Sequence, residues 1–252
     1  MATFLKASGV LTNPLPDTPI FVDFDSLLLL DFDARSFSLQ EGAEIEAWVA
    51  KFSHFKARGH SSLNQASSGL VKPRFTNQNQ NPGVLFSGGD MIRNLTTIPR
   101  FLTPNGYTIA TVCSEVSTPS TYSGDSGARL LGSSASNPVA TGGVRAQNNN
   151  FYSMPTPSVN IGAIPSGDFV LCASYNGENS RIAHSGGVSE KVNLSEGESY
   201  SGISLAYRHG TFIAGDQGIK GVIRRVLVYD SALSDVTLEA LISKLKSEYA
   251  IA

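Results

Sequence analysis

Carboxylates two residues apart are the first residues in this chain with the chemistry of a catalyst. Glu44-Ile45-Glu46-Ala47-Trp48 puts Glu44 and Glu46 on one face of an extended segment, because side chains at i and i+2 share a face in a strand. Two carboxyl groups held about 5–5.5 Å apart can cleave a glycosidic bond with retention. Asp23 with Asp25, and Asp31 with Asp33, repeat the spacing, but no pair has a third acid at i+4. After Glu44 and Glu46 that position is Trp48. The glutamates also open their strand, where a solvated acidic face is the ordinary arrangement. Gly59-His60-Ser61-Ser62-Leu63 lacks the final glycine of a nucleophile elbow and its strand-to-helix setting. His54, His60, His184 and His209 are not spaced as metal ligands. No loop gathers the roughly six to eight oxygens that calcium takes. The expectation is no enzyme, no metal and no cofactor.

Recognition chemistry is better represented. Gln147-Asn148-Asn149-Asn150-Phe151-Tyr152 combines amides that can bond sugar hydroxyls with aromatic rings that can stack on a sugar face. Gln147, Asn148, Asn149, Asn150 and Tyr152 are the candidate carbohydrate-binding residues. The competing reading is a turn, since asparagines readily hydrogen-bond their own backbone. Tyr122 with Asp125, and Tyr175 with Asn176 and Asn179, are secondary candidates. Trp48, mid-strand among apolar neighbours, reads as core.

The elements that must position these residues are mostly strands. Gly221–Asp230 is rich in β-branched residues and free of proline, which suits a sheet interior. Its alternation sets Val222, Arg224, Val226 and Val228 against Ile223, Arg225, Leu227 and Tyr229, with both faces apolar toward the end. An amphipathic helix follows: Ser234 is the N-cap, Asp235 lies in the first turn, and Leu238, Leu241, Ile242, Leu245 and Tyr249 recur at helical spacing. Further strands are expected at 45–51, 84–90, 107–112, 143–146, 160–161, 169–175, 181–183 and 202–205, separated by Gly, Ser, Asn and Pro clusters. Asn176-Gly177 suits a two-residue hairpin turn. A polar loop is expected after Lys51, and no elements are assigned within 117–143.

Among 252 residues, 41% are hydrophobic and only 16% charged, with 24 glycines and 12 prolines. Such a composition favours many strands joined by turns. A net charge of −2 with scattered basic residues shows no footprint for nucleic acid or an anionic membrane. No segment approaches ~20 apolar residues, and the start lacks the pattern of a signal peptide. Residues 1–20, with Pro14, Pro16 and Pro19, read as an extended N-terminal arm. Cys113 and Cys172 fall in expected strands; buried free thiols are the favoured reading and a cross-strand disulfide the alternative.

The run Gly221 to Asp235, with Val226-Leu227-Val228-Tyr229-Asp230 followed by Ala232-Leu233-Ser234-Asp235, resembles the last strand and terminal helix of concanavalin A-like, laminin-G-like jelly rolls. The opening half agrees: Asp31-Phe32-Asp33-Ala34, the Ala47-Trp48 strand, Pro73-Arg74-Phe75, then Val84-Leu85-Phe86 leading to Asp90. The resemblance covers roughly residues 27–95 and 200–250. It implies an all-β fold: a two-sheet antiparallel jelly-roll sandwich over residues 21–252, with a short C-terminal α-helix and the arm of residues 1–20 ahead of it. Glucanases of this architecture carry three acids along one strand, which the Glu44 segment does not complete. Because such domains occur in bacteriophage virion proteins, the leading expectation is a non-enzymatic virion structural protein, in head decoration, fibre or tail. It would be located in the virion and dock on other virion proteins through the arm. The resemblance leaves room for a homo-oligomer, although no coiled-coil heptads occur. The alternative is a carbohydrate-binding module for bacterial surface glycans, and behind it a glycan-cleaving enzyme built on Glu44 and Glu46.

Overall fold

The structure, a computed structural model, describes residues 24–51, 56–61, 72–88, 90–93, 106–117, 128–133, 143–154, 159–189, 191–192, 203–205 and 219–252. The arm expected at residues 1–20 and the secondary candidates Tyr122 and Asp125 lie outside them. Two eight-stranded sheets carry the fold, and every described pairing between strands is antiparallel. The first sheet contains β1 (Leu28–Asp33), β4 (Arg74–Thr76), β5 (Gly83–Ser87), β7 (Tyr107–Ser117), β12 (Asp168–Tyr175), β13 (Arg181–His184), β14 (Gly187–Val188) and β16 (Lys220–Tyr229). The second contains β2 (Ala47–Val49), β3 (Lys56–Ser61), β6 (Asp90–Arg93), β8 (Ala128–Ser133), β9 (Gly143–Gln147), β10 (Asn150–Met154), β11 (Asn160–Ala163) and β15 (Ile203–Leu205). Its strand order is β11-β10-β9-β8-β15-β6-β3-β2.

The sheets share one apolar core. Phe32 of β1 meets Trp48 of β2 edge-on at 6.0 Å, and Phe151 of β10 lies 5.8 Å from Phe169 of β12. Trp48 is fully buried there, as its setting predicted. A second core lies on the other face of the first sheet. There Val112, Val170, Cys172, Leu227 and Tyr229 pack against the one α-helix among the described residues, α1 (Asp235–Glu248). Ser234 caps it by accepting from the Thr237 N–H, and Leu238, Leu241, Ile242 and Leu245 are its buried stripe. Burying each such side chain contributes about 1.5–3 kcal/mol.

β16 lies at the centre, with β7 on one side and both β5 and β1 along the other. Its simple alternation is corrected by a bulge. Ile223 and Val226 both enter the inter-sheet core, which no strict period of two allows. The register on β7 slips between Ile223 and Arg225. The bulge frees both arginines to find partners. Fully buried Arg224 donates to the Asn81 carbonyl and, at 3.0 Å, to Asp168. Arg225 grips Asp31 with two 2.9 Å hydrogen bonds and reaches Glu248 of the helix.

Other expectations are corrected by length. The strand expected over 45–51 is confined to β2, because the chain first bridges Glu44 to Arg74 of the first sheet and then crosses to the second. β3 lies in the expected polar loop, and β8 in the segment left without elements. The Asn176-Gly177 signal does not make a two-residue turn: residues 176–180 connect β12 to β13, closed by Asn179 N–H donating to the Asn176 carbonyl. Cys113 faces the inter-sheet core and Cys172 the helix, so both are free and buried.

Candidate functional site

The amide run folds as the β9–β10 hairpin. Gln147 pairs with Asn150, and Asn148-Asn149 form the two-residue turn. Both turn residues are left-handed, with φ of 49° and 58°. This is the backbone of a type I′ turn, which asparagine tolerates better than most residues. The Asn150 amide donates to the Asn148 carbonyl at 2.9 Å, and the Ile164 N–H donates to the Asn149 carbonyl at 2.8 Å. The turn is thereby tied to the end of β11.

Alternation then divides the hairpin. Ala146, Phe151 and Ser153 are buried toward the first sheet. Gln147, Asn150 and Tyr152 take the opposite phase, on the outer face of the second sheet, and are half-buried. Asn148 and Asn149 stand exposed at the tip. All five predicted residues therefore belong to one hairpin, and three share a sheet face beside the tip. An aromatic ring and several amides at a surface can hold a sugar ring by stacking and by hydrogen bonds to its hydroxyls.

The secondary cluster does not assemble in the same way. Tyr175 is buried, its ring stacked on Tyr107 at 4.3 Å. Asn179 accepts from Lys191 at 2.8 Å. Glu44 and Glu46, with side chains 52% and 72% exposed, sit around one ammonium group, Lys72, which they both pair. The Asp31–Asp33 pair is taken up by arginines: Asp31 by Arg225, and Asp33 by Arg35 in a bidentate contact. Burial pushes the Asp33 carboxyl up, but the Arg35 hydrogen bonds and charge outweigh it and hold the group below its usual range. His184 is pushed down by burial alone. Among the described residues no three His, Cys, Asp or Glu side chains come together as a metal site requires.

Sequence reasoning missed the strands that pair with the hairpin's sheet further along, and with them the register of its arginine positions. Arg145 pairs directly with Tyr152 and with Arg129, while Arg58 pairs with Arg93 further along the same sheet. A period of two in Lys56-Ala57-Arg58-Gly59-His60 was the available signal. It carries almost no hydrophobicity, so it reads as loop.

No protein-family model and no curated protein matches the chain in sequence. Solved structures do match its fold. Domain 4 of AbnA, a GH43 extracellular arabinanase from Geobacillus stearothermophilus, solved in complex with arabinotriose, is 14% identical. That match covers 86% of this chain and 98% of that one, with a TM-score of 0.57. Trypanosoma rangeli sialidase, in complex with sialic acid, is 12% identical with a TM-score of 0.61; it covers 87% of this chain but only 33% of the sialidase. A botulinum neurotoxin type C structure, whose cell entry depends on two ganglioside molecules, is 10% identical with a TM-score of 0.56, covering 88% and 52%. The chain thus spans about a third of the sialidase and about half of the toxin chain. No helix is long and apolar enough to cross a membrane among the described residues. The expectation of a bacteriophage virion structural protein is corrected by these likenesses. The structures that share the fold come from an arabinanase, a sialidase and a ganglioside-dependent toxin, and none of these is a virion protein.

Proposed function

We propose that this chain is a carbohydrate-binding domain whose site is the β9–β10 hairpin and the adjoining outer face of the second sheet. The observation that carries this reading is the β9–β10 hairpin itself, which brings Gln147, Asn150 and Tyr152 to one sheet face beside the exposed Asn148-Asn149 tip, on the sheet opposite the one against which α1 packs. The named structures lend support, being proteins that act on or associate with glycans. In this reading residues 21–252 follow jelly-roll connectivity behind an extended arm of residues 1–20. The domain binds glycan without cleaving it. Glu44 and Glu46 are exposed and both pair with Lys72, an ion-paired arrangement and not two carboxyls held apart across a scissile bond.

A glycan array on the full chain tests this, comparing wild type with N150A/Y152A and with N148G/N149G. Glycine keeps the left-handed turn while removing the tip amides. The expected result is a glycan signal that N150A/Y152A abolishes. Equal signals from wild type and N150A/Y152A overturn the site, and hydrolysis of an arrayed glycan overturns the binding-only function.

A further inference from the structure

We propose that His184 is an acid-sensitive latch: neutral, it backs the edge strand β11 that seats the glycan-binding hairpin, and protonated, it turns outward and loosens that seat. The control of glycan binding rests on the glycan-binding reading; the latch itself does not. Register fixes where the ring goes. His184 ends β13 directly opposite Leu171 of β12 and two positions from Ile182, and both of these lie in the inter-sheet core. The imidazole is therefore on the inner face of the first sheet, half-buried. There it meets the second sheet. A Cβ at Gly162 of β11 would lie 3.8 Å from His184 Nε2, so ring and backbone are neighbours across the sandwich. The other nitrogen, Nδ1, accepts from the Gly186 N–H at 3.0 Å, inside the Ser185-Gly186 turn that joins β13 to β14. An accepting Nδ1 defines the neutral imidazole with its proton on Nε2, the nitrogen facing β11.

β11 is the strand that places the candidate site. It ends the second sheet and pairs with β10. Asn160 opposes Tyr152, Gly162 opposes Phe151, and the Ile164 N–H donates to the Asn149 carbonyl at the tip. Across the sandwich, Ile161 and Ile164 pack on the inter-sheet core and the His184 ring lies against Gly162. A proton on Nδ1 removes the lone pair that the Gly186 N–H uses and sets two N–H groups against each other. It also puts a charge where burial disfavours it. Among the described residues no acid faces the ring to offset this. β10, β11 and β14 carry no charged residue. Asp168 of β12 pairs with Arg224, and Arg181 of β13 takes the helix-facing phase and pairs with Asp235. Cys172 faces the helix, and Tyr152 takes the outer phase of β10. The protonated ring is satisfied in water, away from Gly162. The folded form prefers the neutral ring, so the latch holds above the ordinary histidine range and is lost as pH falls through it. Asp33 titrates lower, in a separate window. A glycan that needs β11 seated then binds less tightly in acid, by linkage.

The test is amide hydrogen exchange of the full chain at about pH 7.5 and about pH 5.5, either side of the ordinary histidine value, corrected for the intrinsic pH dependence of exchange. Wild type is compared with H184Q and H184F, neither of which titrates there, and a melt of each variant shows that it folds. Wild type is expected to lose protection at Ile164 and across β11 by about fivefold or more in acid, while both variants stay level. Equal protection of wild type at both pH values overturns the latch. So does an equal acid loss in H184Q and H184F, which would put the titrating group elsewhere. The glycan array, read on its uncharged sugars at both pH values, tests the control of binding. Wild-type signals should weaken by about fivefold or more in acid, and those of the variants should not. Unchanged wild-type signals overturn the coupling of the latch to the site. A blank array at both pH values overturns the glycan reading, and hydrogen exchange then decides the latch alone.

Discussion

At the scale of single residues, the buried groups divide into those the fold has neutralised and those it has paired. Burial pushes the Cys113 thiol up to about 12 and raises Cys172 as well, because neither thiolate has water to solvate it. Both should resist a thiol reagent at pH 8 in the native protein and react together on unfolding; reaction of one thiol in the folded state would show that its side of the sandwich opens. Asp31 is 1% exposed and Arg225 holds both its oxygens. Removing one member of such a pair leaves a buried charge uncompensated, at a cost of about 3–5 kcal/mol. D31N should approach that loss in denaturant melts, whereas D31N/R225M should recover part of it. Asp33 supplies the pH dependence. Its folded pKa lies below its unfolded value, so its contribution is present above the unfolded pKa and lost as pH falls through the folded one. Wild type should therefore lose more stability than D33N on acidification below the ordinary carboxylate range, measured by melting temperature against pH.

At the scale of elements, the β9–β10 hairpin shows what the sequence disclosed and what it withheld. The amide run and its turn-forming tendency were both legible, and the structure uses each: Asn148 and Asn149 make the turn, while Gln147, Asn150 and Tyr152 flank it. α1 was legible in full, because cap, stripe and end all point the same way. Among the strands that went unread, which also include β4, β6, β10 and β14, β3 and β8 are polar or interrupted: Lys-Ala-Arg-Gly-His-Ser sets small residues against cations, and β8 carries a bulge between Arg129 and Leu131. Hydrophobic alternation is the main strand signal, and a sheet face built for solvent or ligand does not supply it. The bulge in β16 was hidden for a different reason. Its residues satisfy either phase, and only contact with β5 and β7 decides. The hairpin gives a direct check on backbone strain. A side chain other than Asn or Gly in left-handed φ costs roughly 1–2 kcal/mol. N148A/N149A should lower stability by that order per residue, while N148G/N149G should stay near wild type. Equal melts for the two variants would mean that the turn does not hold its left-handed geometry in solution.

At the scale of the whole molecule, the two outer faces have opposite fates, and this separates stability from recognition. α1 closes the first sheet with a second apolar core, whereas the face bearing Tyr152 belongs to the sheet on the far side of the inter-sheet core. Leu241 and Leu245 are both fully buried between helix and sheet. Truncating either to alanine should cost about 2–5 kcal/mol, the transfer loss plus the cavity left behind. The two contact the same core cluster, so the double variant need not reach the sum. Both cores share the first sheet: Val226 and Val228 of β16 enter one, and Leu227 and Tyr229 the other. Loosening the helix should therefore lower a single cooperative transition instead of melting the helix separately. Glycan affinity should be unchanged in L241A/L245A at temperatures well below its lowered midpoint, since α1 packs chiefly on β12, β13 and β14 of the first sheet. Denaturant melts followed by glycan titration on the same sample separate the alternatives. A loss of affinity in step with stability would mean that the second sheet takes its shape from the first, and that the binding face is not an independent layer of the sandwich.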